Sequence, residues 1–197
     1  MFDETLSSTG DAAYHCALIQ AISRDIASTS KAIETDWQSA YAAELTHPDT
    51  QGPYRTQEEV LRAFFKTLTT GLQFTSDMRL ERPMGTFERP RPTRAESWRA
   101  GRSKRNVGLS LTALRDLATR LSANDPAVAD RIDESFETAL TQLARLDDPV
   151  FAGVSDPAGR LKVEALPQSV DEIRAIIGTD LGPTLGVTGG FNALDGD

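Results

Sequence analysis

Asp125-Pro126-Ala127-Val128-Ala129-Asp130-Arg131-Ile132-Asp133-Glu134-Ser135-Phe136-Glu137-Thr138-Ala139-Leu140-Thr141-Gln142-Leu143-Ala144-Arg145-Leu146 opens with an N-cap aspartate and a proline at the first helical position. Val128, Ile132, Phe136, Leu140, Leu143 and Leu146 then recur at steps of four and three. That spacing puts them on one stripe at about 3.6 residues per turn. The stretch is an amphipathic helix, and its stripe calls for other helices to cover it.

Working outward, the same periodicity returns. Val107, Leu111, Leu114, Ala118 and Leu121 follow a start near Ser103 with the spacing of a bundle seam. Before them, Thr56-Gln57-Glu58-Glu59 is a capping-box pattern that leads into Val60, Phe64, Leu68 and Leu72, with Leu61 and Phe65 widening the face. This helix is expected to fade before Pro83. Earlier still, Leu18, Ile22, Ile26, Ile33, Trp37 and Tyr41 predict a long helix over residues 11–43, closed by turn signals at residues 47–53. A rod of that length needs partners of similar length. Downstream, Asp156-Pro157 repeats the start signal; Pro167 is expected to kink or end that helix, and Val170, Ile173, Ile177 and Leu181 argue for another helical stretch. No alternating strand pattern and no fixed-period repeat is present. The prediction is an all-α fold in one domain: an antiparallel bundle of about five to six helices, with a long Arg/Pro-rich loop and a Gly-rich C-terminal tail.

A chain of 197 residues is long enough to bury a substantial core without disulfides, and Cys16 is its only cysteine. Cys16 is expected to be a small buried helix residue. The first ten residues lack the basic start, apolar stretch and cleavage site of a signal peptide, and no segment has the apolar length of a transmembrane span. A formal net charge of −8 disfavours nucleic acid as a partner. Yet residues 79–105 hold nine of the 21 basic residues against only Glu81, Glu88 and Glu96. Pro83, Pro90 and Pro92 lie in the same stretch, which is expected to be a long connection rather than a helix.

The search for chemistry returns mostly exclusions. His15 and His47 are the only histidines, and neither has a carboxylate at one-helix metal spacing. No Gly-x-Ser-x-Gly elbow, phosphate-binding glycine loop or His-Glu-x-x-His is present. Asp130, Glu134 and Glu137 share a helix side, but such a row without histidine is normally a solvated face. The densest constellation is Glu96-Ser97-Trp98-Arg99-Ala100-Gly101-Arg102-Ser103-Lys104-Arg105-Asn106. Its hydroxyls, guanidinium groups and adjoining helix N-terminus are donors suited to a carboxylate or phosphate, or to acids of this chain or of a neighbour.

Two stretches carry a family resemblance. Ala95-Glu96-Ser97-Trp98-Arg99-Ala100-Gly101-Arg102-Ser103-Lys104-Arg105-Asn106 is one; the other is the ending Leu185-Gly186-Val187 through Gly190-Phe191-Asn192-Ala193-Leu194-Asp195-Gly196-Asp197. Both are similar to the C-terminal region of imelysin-like proteins, and the terminal Gly-Phe-Asn-x-x-Asp-Gly-Asp is the more specific. The resemblance implies a bacterial, all-helical protein of two bundle-like halves, exported to the periplasm or outer membrane under a signal peptide upstream of Met1, and linked to iron uptake. It also implies a site between the halves and a Gly-x-His-x-x-Glu signature in the N-terminal half, in a family first named as a peptidase. Here no glycine is followed two residues on by histidine. The chain thus resembles the C-terminal half alone, a fragment or a short relative.

On that resemblance Ser97, Arg99, Arg102, Ser103, Asn106, Phe191, Asn192, Asp195 and Asp197 are expected to line a binding or interdomain site, and none is a nucleophile or general base. The expected partner is an N-terminal imelysin-like half. No cofactor is expected in this chain, while iron or another divalent metal belongs to the complete protein. Two alternatives accompany this reading: the support domain of a metallopeptidase, and a non-enzymatic interaction module whose basic loop grips an acidic partner.

Overall fold

The computed structural model describes residues 12–187, and all regular secondary structure among them is helical. The chain divides into two compact units between Val60 and Leu61.

In the first unit, α1 (Ala12–Asp36) passes through a π-helical turn (Trp37–Tyr41) into α2 (Ala42–Thr46). The helical run ends three residues later than the pattern suggests, at Thr46, and the His47 backbone then leaves helical geometry. The Tyr41 and Tyr54 hydroxyls meet at 2.8 Å, and the Trp37 ring lies 5.0 Å from that of Tyr41. No residue of α1 is buried. The predicted stripe is in place as a stripe, but Leu18, Ile22, Ile26, Ile33 and Trp37 are all exposed. Cys16 is exposed as well, contrary to the buried position expected of it, because among the described residues none packs closely enough on α1 to bury any of its side chains.

The α3 helix (Gln57–Phe74) begins with the predicted cap: the Glu59 N–H donates to Thr56 Oγ1 at 3.2 Å. The Glu59 carboxylate reaches back one residue further than the standard box, accepting from the Arg55 N–H at 2.6 Å.

The second unit contains most of α3 and all that follows. After Phe74 the chain makes a π-helical segment (Thr75–Glu81) and a last turn, α4 (Arg82–Met84). The helical run therefore does not fade before Pro83 but includes it, and stops at Gly85, whose φ of 55° is costly for a residue with a Cβ. Three long helices follow: α5 (Ser103–Leu121), α6 (Pro126–Arg145) and α7 (Pro157–Ile176). Then come a π-helical turn (Ile177–Leu181) and α8 (Gly182–Thr184). Both aspartate–proline starts are real caps, with Asp125 accepting from Val128 N and Asp156 from Gly159 N.

Cross-helix pairings fix the directions. Between α3 and α5, the Gly71 position abuts Leu114 while Thr75 meets Ser110. From α5 to α6, Arg115 bonds Asp133 and the Gly108 position abuts Leu143. From α6 to α7 and the turn after it, Gln142 accepts from Ser169 and Arg131 pairs with Asp180. Finally the Gly182 position abuts Phe65, and Arg160 bonds the Met84 carbonyl. In each pair one number rises as the other falls, so each helix runs against its neighbours and the four close into a ring. The centre is filled by Leu72, Leu111, Ile132, Phe136, Leu166 and Ile173, all buried. Each such side chain is worth about 1.5–3 kcal/mol.

Pro167 does not kink the helix out of existence; α7 runs through it, and the proline is itself buried. An interior proline costs about 3 kcal/mol. Val163, Leu166, Val170 and Ile173, buried on either side of it, bind the helix to the core on both sides of the missing N–H and offset that cost.

Candidate functional site

The arginine-rich stretch leaves α4 at Gly85 and reaches α5 at Ser103 through two short 3-10 turns, Pro92–Arg94 and Trp98–Ala100. It is an ordered connection, held at both ends. At the start, the buried Arg160 of α7 donates to the carbonyl oxygens of Met84 (2.7 Å), Thr86 (3.2 Å) and Gly85 (3.4 Å), while its Nε bonds Glu164 at 2.6 Å. In the middle, Arg79 reaches Glu96 at 2.6 Å, and Ala95 is buried in the core. At the end, Trp98 packs on the core and Lys104 donates its ammonium to the Ala144 and Leu146 carbonyls, the free C-terminal acceptors of α6.

Four of the expected site residues come together here. Ser97 adopts the left-handed region (φ 54°), which folds the chain so that its carbonyl accepts from Ala100 N at 2.9 Å and Arg102 N at 3.3 Å. Its hydroxyl accepts from the Asn106 side chain at 3.3 Å, tying the turn to the first turn of α5. Arg99 stacks over the Trp98 ring with its guanidinium carbon 4.6 Å from the centroid. Ser97, Arg99 and Arg102 are exposed and Asn106 is half-buried. Ser103 differs: its hydroxyl is buried and has no hydrogen-bond partner among the described residues, so it faces the interior. Phe191, Asn192, Asp195 and Asp197 lie outside the described residues.

The turn is thus a rigid, positively charged shelf at the N-terminus of a 19-residue helix. It can bind an anion or a carboxylate-bearing surface. Among the described residues no three His, Cys, Asp or Glu side chains converge, so they do not fit an iron or zinc centre. Of the carboxylate row on α6, Asp130 and Glu134 are exposed, and only Glu137 joins an ion pair, together with Asp133 from outside the row. Arg115 of α5 takes Asp133 through two bonds (2.6 and 2.8 Å) and Glu137 at 2.7 Å. These hydrogen bonds hold the Asp133 carboxyl below its ordinary range and raise the guanidinium further.

The Imelysin family model matches residues 1–177, across both compact units and the whole arginine-rich turn. The chain belongs to the imelysin family. No curated protein and no solved structure matches it. Membership in the imelysin family agrees with the all-helical architecture, and no helix among the described residues is long and apolar enough to cross a membrane.

Two residues that organise this turn were not singled out by their sequence context. Arg160 sits in an ordinary helical pattern, and only its burial shows that it serves the loop. Asp148 accepts from the N–H groups of Val150, Ala152 and Gly153 at 3.2, 3.0 and 2.7 Å, shaping the loop whose Pro149 carbonyl receives Lys104 N. An aspartate followed by Pro-Val-Phe was a turn signal of the usual kind.

Proposed function

We propose that this chain is the helical half of an imelysin-like protein associated with iron uptake, exported to the periplasm or outer membrane, and that it contributes one wall of a binding site completed by an N-terminal companion. On this reading the chain is not catalytic alone. The observation that carries it is α1. Its apolar residues keep strict helical spacing, yet Ile26 and Ile33 stand 59% and 62% exposed. A regular stripe of this length on an uncovered helix is the face of an interaction, since scattered surface apolar residues do not keep a period. The arginine shelf around Ser97 and Asn106 supports the same reading as the wall that meets an anionic group.

The test is reconstitution. An N-terminal half bearing Gly-x-His-x-x-Glu is expressed separately, mixed with this chain, and followed by sedimentation and by iron titration of each half and of the mixture. The expected result is a stable complex that binds iron where this chain alone does not. Stoichiometric iron binding by this chain alone, or no association, sinks the proposal. Chelator-sensitive peptide cleavage by the complex would instead favour the support domain of a metallopeptidase, and association that collapses steeply with salt would favour a charge-driven interaction module.

A further inference from the structure

The first two turns of α5 and the last of α6, with Gly101 and Pro149, border an open, shallow groove of about 420 Å³. Its size falls in the range of small-molecule sites, roughly 300–1,000 Å³. The walls are almost wholly apolar: Leu109 from α5, with Leu140, Leu143 and Ala144 from α6. Gly108 lies in the groove where α5 approaches α6 closely, since a Cβ there would come to 3.3 Å from Leu143 Cδ2.

One end of the groove is charged. Gly101, Lys104 and Arg105 border it at the N-terminus of α5. The Lys104 ammonium is already bound to the α6 carbonyls, while the exposed Arg105 has no ion-pair partner among the described residues. An apolar trough with a free guanidinium and a helix N-terminus at one end is complementary to a ligand with an apolar chain and a single anionic head.

We propose that this groove binds one molecule of an anionic amphiphile, a medium-chain carboxylate in monomeric form, with its head at Arg105 and its chain along Gly108 towards Leu140. The charged end of the groove belongs to the same basic segment as the shelf, but the ligand is titrated into this chain alone, so failure of this proposal leaves the reconstitution experiment untouched. Binding against an overall charge of −8 makes it local rather than a field effect.

Calorimetric titration of the full chain with sodium hexanoate, octanoate and decanoate, each below its micellar concentration, tests it. Affinity should rise about twofold to fourfold per added methylene, with a stoichiometry of one and amide shifts at Gly101 and Gly108 in NMR spectra. Ala144→Trp fills the groove from an exposed position and should abolish binding; Arg105→Glu should weaken decanoate about tenfold or more and no longer disfavour decyltrimethylammonium. Circular dichroism melts confirm that both variants fold, and Arg105→Ala stands in for any that does not. Equal binding of the cationic and anionic chains by the unaltered protein, indifference to Ala144→Trp, no binding at all, or binding only to decanoate-containing vesicles would each overturn the proposal.

Discussion

Arg160 donates through Nη1 to the carbonyl oxygen of Met84 at 2.7 Å, joining residues 76 positions apart in the chain. The same side chain serves the Gly85 and Thr86 carbonyls, so one buried guanidinium from α7 fixes the exit of α4 and the start of the arginine-rich loop. Replacing it with methionine keeps much of the volume and removes this donor from the Met84 and Gly85 carbonyls, while Thr86 keeps the Arg89 N–H. Arg160→Met should cost about 2–4 kcal/mol, since an unsatisfied buried polar group costs about 1–3 kcal/mol. Urea unfolding should show it, with faster amide exchange in residues 85–102.

Gly159 lies where α7 crosses the preceding loop, and a Cβ there would stand 2.5 Å from the Gly153 carbonyl oxygen. Because the obstacle is backbone on both sides, no side chain can swing away. Gly159→Ala should lower stability by about 1–3 kcal/mol, read from the urea midpoint, while Gly178→Ala, which meets no neighbour, should not.

The Arg115–Asp133 pair should show itself in acid. Hydrogen bonding to Arg115 lowers the Asp133 pKa in the folded state. Its contribution is therefore fully present above the ordinary aspartate value of about 4 and is lost as pH falls through the lowered folded value. Asp133→Asn should reduce stability at pH 7, by about 0.5–1 kcal/mol for a partly exposed pair, and the two unfolding curves should converge at low pH.

On α1, Ile26→Ser and Ile33→Ser should leave the stability of the second unit unchanged, as both side chains are exposed. They should weaken association with an N-terminal companion. Chemical unfolding by Trp98 fluorescence checks the first expectation, in a Trp37→Phe background, and sedimentation of the mixture checks the second.

Much of the bundle was legible beforehand. The Val128-to-Leu146 stripe, the two aspartate–proline starts and the Thr56 cap all describe contacts within a single helix or across its one face, and local rules govern those. The ending expected at Pro167 is overturned for the opposite reason: the helix persists because distant residues pack on both of its halves, and no local rule weighs them. Cys16 was misjudged because a helical pattern says which residues share a face but not whether anything covers it.

The candidate site divides the same way. That residues 95–106 form a basic turn entering a helix follows from glycine, serine and the apolar period of α5. That Ser103 turns inward while Arg105 stays exposed depends on which groups the neighbouring helices bring up. Sequence alone determined the helices, their caps and the concentration of arginine, because those properties depend on residues within about one turn of each other. Tertiary structure alone decided how the antiparallel helices close into a ring, the hold of Arg160 on Met84 and the groove at Gly108, because burial and pairing depend on what arrives from dozens of residues away.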